Sequence, residues 1–106
     1  SGTPEQVVMR WARVAVAAGA RAIVSSAQEV STLRALLGDE PLLITPGIRP
    51  AGTERADQQR VVTPEDAITA GAGLLVVGRP VTAADDPRAA ARAIAAEAVE
   101  ALDGVR

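Results

Sequence analysis

The sequence predicts an α/β domain built on a parallel sheet, on three observations. Short apolar runs at residues 22–25, 42–45 and 74–77 alternate with segments of helical spacing, and that alternation implies parallel strands joined by helical crossovers. The runs are continuously apolar, as strands covered on both faces are. There is also a weak internal repeat: Ala-Gly-Ala precedes the first and third runs at 18–20 and 70–72, and Thr-Pro-Glu opens the helix before each. The chain has 106 residues, which suits a single small domain over 1–106.

Each element has its own signal. Thr3 is an N-cap candidate, Pro4 suits the first helical position, and Gln6 completes a capping box. Val7, Trp11, Ala15 and Ala18 recur at helical spacing, which assigns Trp11 to the core, and Gly19 stops the helix. Ser26 caps a second helix with Glu29 as box partner; Val30, Leu33, Leu36 and Leu37 form its stripe and Gly38 ends it. The strand at 42–45 is stopped by Pro46-Gly47. A third helix starts at Thr63-Pro64-Glu65 and ends near Gly71. The strand at 74–77 is stopped by Gly78-Arg79-Pro80, and Asp86 before Pro87 opens a last helix carrying Ile94, Ala98 and Leu102 on one face. The order is α-β-α-β-(long loop)-α-β-α. Residues 46–62 have neither helical nor strand period. A loop of that length in a compact domain is usually functional, and this one leaves the C-terminal end of a strand, where α/β folds place ligands.

Composition removes much chemistry. Apolar residues make up 48% of the chain, so it is not a disordered sequence. Cys, His, Lys, Phe, Tyr and Asn are absent. Within these residues there is no thiolate, imidazole, Schiff-base amine or Cys-ligated metal, and all eleven cations are Arg. A net charge of −2 with both signs interspersed argues against nucleic acid as partner. No run of about 18 apolar residues suggests a membrane span, and no signal peptide is visible. Missing cysteines fit a cytoplasmic setting.

What remains is anion recognition. Arg49 stands just past the second strand and Arg79 just past the third, with Gly78 beside it and Gln58 in the long loop. Guanidinium groups, glycine backbone and an amide suit a phosphate; the alternative is surface arginines paired with carboxylates. Ser25 and Ser26 also lie at a strand end, Ser26 most simply as a cap. Asp57 reads as a turn-former or a base, and Asp85-Asp86-Pro87 as a helix start, not a metal pair.

Four stretches in order resemble orotidine 5′-phosphate decarboxylases: the junction S-S-A-Q-E from Ser25, T-P-G-I-R-P from Thr45, D-Q-Q-R-V-V-T-P-E from Asp57 and V-V-G-R-P from Val76. Arg49 and Gln58 are nine residues apart, Gln58 and Arg79 twenty-one. The resemblance implies a (β/α)8 barrel that converts orotidine 5′-monophosphate to uridine 5′-monophosphate and CO2 without cofactor or metal. It assigns Arg49, Gln58, Gly78 and Arg79 to substrate binding, with Gln58 and Arg79 on the phosphate, and makes 46–62 the loop that closes over ligand. By the resemblance Pro46 would line the site, and Ser26, from its place at a strand end, is the other site-lining candidate. The family's Asp/Lys array, D-x-K-x-x-D, has no counterpart here. Since such a barrel needs about 250 residues, the chain is expected to be its C-terminal part, the last three strands, with no catalytic residue of its own. Its expected partners are the nucleotide and either the N-terminal part of the barrel or a second copy. The rival readings are a non-catalytic phosphate-binding module that self-associates, and another ribulose-phosphate barrel enzyme.

Overall fold

The computed structural model describes residues 2–50 and 62–105. Helix α1 (Pro4–Ala17) leads into strand β1 (Ala22–Val24). A 3-10 turn (Ala27–Glu29) and helix α2 (Val30–Leu37) return the chain to β2 (Leu42–Thr45). After the long loop come α3 (Pro64–Ala70), β3 (Leu74–Leu75), the short α4 (Arg79–Thr82) and α5 (Pro87–Gly104). The three strands form one parallel sheet in the order β1-β2-β3, with Ala22 beside Leu42 and Ile44 beside Leu74. This is the alternating architecture expected, an arc of a (β/α)8 barrel.

Local chemistry explains where the helices begin. Gln6 donates its N–H to Thr3 Oγ1 at 3.1 Å, and the Thr3 N–H donates to Gln6 Oε1 at 3.0 Å. The same reciprocal box joins Thr63 and Asp66, and Asp86 Oδ1 accepts from the Ala89 N–H at 3.1 Å. Each box satisfies donors that the first helical turn leaves orphaned.

Burial along the strands is one-sided. Ile23, Leu43 and Leu75 face the helices and join a core with Val30, Leu33, Ala12, Ile48 and Ala67. The alternate positions are open: Val24 is 66%, Leu74 45% and Val76 47% exposed. The expectation of strands covered on both faces is therefore corrected. In a closed barrel that second face is the interior, and it is filled only when other strands complete the ring.

Four further expectations change. Trp11 is 65% exposed and not core, because α1 turns its neighbours Ala12 and Met9 inward and leaves Trp11 on an open groove shared with Ile23 and Val24. Ser26 does not cap α2; its hydroxyl donates to Glu29 Oε1 at 3.1 Å, and a 3-10 turn intervenes. Gly78-Arg79-Pro80 does not simply stop a strand: it opens α4, while β3 itself ends at Leu75. The segment read as aperiodic carries one strand-like pairing. Ile48 bridges Val62 in parallel register, and the Arg49 N–H donates to the Val62 carbonyl at 2.9 Å.

Candidate functional site

Parallel strands in one sheet deliver their C-terminal ends to the same edge. That edge receives Ser26 after β1, Pro46 and Arg49 after β2, and Gly78 and Arg79 after β3. Five of the six residues singled out from sequence therefore share one end of the sheet. The sixth, Gln58, lies outside the described residues, as does Asp57.

Arg49 stands on a fixed stem. Ile48 is buried in the core at 1% exposure, and the bridge to Val62 closes the base of the loop. Arg49 itself is half-buried. Its guanidinium, like that of exposed Arg79, makes no ion pair or side-chain hydrogen bond with another described residue. The reading of these two as carboxylate-paired surface charges gains no support among those residues. Gly78 presents bare backbone beside Arg79, and a Cβ built on it would meet nothing within 4 Å. Among the described residues, nothing fills that space. Two guanidiniums unpaired, and a glycine uncovered, among the described residues suit a phosphate, which takes charge-assisted, bidentate hydrogen bonds from Arg.

Ser26 is occupied by Glu29, so its hydroxyl is already committed within the protein. Sequence reasoning missed Ile48 as the anchor of Arg49; its signal was a lone apolar residue inside a polar, glycine- and proline-rich segment. An apolar groove of about 410 Å³ lies elsewhere, between β3 and α5, lined by Ile68, Leu75, Val81, Ile94 and Leu102. It has no charged lining and does not suit an anion. Among the described residues no group of three or more Asp or Glu could hold a metal ion.

The model of the Orotidine 5′-phosphate decarboxylase / HUMPS family matches residues 1–94. The chain is 57% identical over 96 residues to an orotidine 5′-phosphate decarboxylase of Anaeromyxobacter sp. (strain K), which covers 91% of this chain and 42% of that protein. It is 52% identical over 101 residues to one of Gluconobacter oxydans, covering 95% and 43%. Among solved structures, the orotidine 5′-phosphate decarboxylase of Lactobacillus acidophilus superposes with a TM-score of 0.76 at 39% identity, covering 89% of this chain and 37% of that one. The chain spans less than half the length of these relatives.

Proposed function

Because the chain belongs to the Orotidine 5′-phosphate decarboxylase / HUMPS family, we propose that it forms the phosphate-binding portion of an orotidine 5′-phosphate decarboxylase. The observation that carries this reading is the meeting of Arg49, Gly78 and Arg79 at the C-terminal ends of adjacent parallel strands, with both guanidiniums unpaired among the described residues. The relatives named above are decarboxylases, which favours that activity over the other branch of the family name.

In this proposal Arg79 and Gln58 hold the phosphate of orotidine 5′-monophosphate, Arg49 adds a second positive charge, and the Gly78 backbone approaches the ligand closely. Pro46 lines the site, and residues 46–62 form a single loop over it. None of these groups is placed to transfer a proton, and the chain contains no Lys. Decarboxylation then depends on an amine and carboxylates supplied by the rest of the barrel. The role of this portion is to bind the non-reacting end of the substrate and to convert that binding energy into stabilisation of the transition state. No helix among the described residues is long and apolar enough to cross a membrane, and a cytoplasmic setting follows from the proposed role in pyrimidine synthesis.

The test is a calorimetric titration of the intact protein with uridine 5′-monophosphate and with uridine. The nucleotide should bind at least about 100-fold more tightly, and most of that difference should vanish in Arg79→Ala, since charge-assisted contacts to phosphate supply it. Equal affinity for nucleotide and nucleoside would overturn the assignment.

A further inference from the structure

Two hydroxyl groups lie side by side beneath the site with no partner among the described residues. Ser25 follows β1 and Thr45 ends β2; the register that pairs Val24 with Ile44 sets them next to each other. Both point to the helix-covered face. Ser25 is 7% exposed and Thr45 0%, and neither Ser25 Oγ nor Thr45 Oγ1 has a hydrogen-bond partner among the described residues. Leaving a buried hydroxyl unpaired is costly, and native interiors rarely do so.

The backbone ladder between β1 and β2 also ends at this point. The ladder between β1 and β2 alternates: Leu42 N–H donates to the Arg21 carbonyl at 2.8 Å, and Ser25 N–H to the Ile44 carbonyl at 3.0 Å. The next donor in that alternation belongs to residue 46, to serve the Ser25 carbonyl. Residue 46 is proline and has no N–H to give. Two hydroxyls, and a carbonyl that lacks its ladder donor, therefore belong to the last residues of the ladder.

The geometry points to an internal hydration site: one water molecule bridging Ser25 Oγ, Thr45 Oγ1 and the Ser25 carbonyl. A buried water typically makes about three hydrogen bonds to otherwise unsatisfied groups, and this corner offers three. Such a water supplies the donor that Pro46 lacks and ties β1 to β2 directly below the Pro46–Arg49 stem. The inference rests on the sheet alone and stands whether or not the edge above binds phosphate.

The experiment combines water-to-protein NOE spectroscopy on the intact protein with thermal melts of Ser25→Ala, Thr45→Val and the double variant. The parent should show a long-lived water in contact with the Ser25 and Thr45 protons, and either substitution should abolish that signal. Each single variant should lower Tm on the order of 5 °C. The double variant should fall by less than the sum, because the groups share one water. A rise in Tm for Thr45→Val would show a hydroxyl that is truly unpaired and would overturn the proposal. So would additive losses, or coupled losses with no long-lived water, which would mean a direct Ser25–Thr45 hydrogen bond. If Thr45→Val fails to fold, the parent spectrum and Ser25→Ala still decide.

Discussion

The two ends of the sheet use arginine in opposite ways. At the N-terminal ends of the strands, Arg34 is consumed by the fold. Its Nε and Nη2 donate to the Gly71 carbonyl at 3.2 and 2.7 Å, and its Nη1 donates to the Gly38 and Pro41 carbonyls, both at 2.8 Å. One guanidinium thus joins the end of α2, the turn into β2 and the end of α3. At the C-terminal ends, Arg49 and Arg79 have no such bonds among the described residues. The same side chain is a structural clamp below and an unspent charge above. The difference lies in the company each keeps: helix C-termini crowd the lower edge with unsatisfied carbonyls, whereas the described residues beside Arg49 and Arg79 at the upper edge include glycines and prolines. That division matches the general one in barrels of parallel strands, where the lower face holds the structure and the upper face holds the chemistry.

Removing the lower clamp should have the largest effect. Arg34→Met keeps the alkyl stem and loses four hydrogen bonds to three carbonyls, two of them part-buried. Hydrogen bonds from charged groups contribute about 1.5–3 kcal/mol each and do not simply add, so a loss of about 3 kcal/mol in denaturant unfolding is expected. Arg34→Lys should recover less than half, because a point charge cannot span the fork. Nucleotide affinity of the folded protein should stay unchanged. A loss under about 1 kcal/mol, or a parallel loss of affinity, would break the contrast between the two edges.

The upper edge should answer the other way. Arg79→Ala should weaken uridine 5′-monophosphate binding about 30-fold, ~2 kcal/mol, and Arg49→Ala about 10-fold. Stability should move by no more than about 0.5 kcal/mol in either, as for surface substitutions that leave no group unpaired. Raising salt should narrow the gap between parent and variants, since the contact is electrostatic and exposed. An Arg79→Ala protein that binds like the parent but melts lower would make Arg79 a second clamp.

The sequence showed the upper edge more clearly than the lower one, for a physical reason. Strand ends and helix caps are local: Thr3, Thr63 and Asp86 act on residues three positions away, and the strand-end rule needs only to know where Thr45 and Val77 stop. Arg34 reaches Gly71 across 37 positions and binds backbone carbonyls, which carry no residue-type signal. The exposure of Trp11 was hidden in the same way, because helical spacing reports an apolar face but not which strand covers it. Helix α4 was missed because four residues are too few to show a period, and Gly-Arg-Pro reads equally well as a stop. The orphaned hydroxyls of Ser25 and Thr45 depend on a register that no single strand contains.

Two glycines offer the finest test. Gly71, at the lower edge, has φ +121°, and a Cβ there would come within 3.0 Å of Arg34 Cγ and 3.2 Å of its Nε. Gly71→Ala therefore combines a positive-φ penalty with pressure on the clamp, and should cost about 1–3 kcal/mol of stability with little change in ligand affinity. At Gly78, on the upper edge, a Cβ would touch no protein atom, so whatever it disturbs in the proposed site is the ligand. Gly78→Ala should weaken nucleotide binding a few-fold, less than either arginine variant, because it removes no charge and only lengthens one backbone approach. The pair is measured by melting and titrating both proteins side by side. If Gly78→Ala leaves affinity untouched while Gly71→Ala lowers it, the ligand does not sit on the β3 end of the sheet, and Arg79 loses its nearest supporting contact.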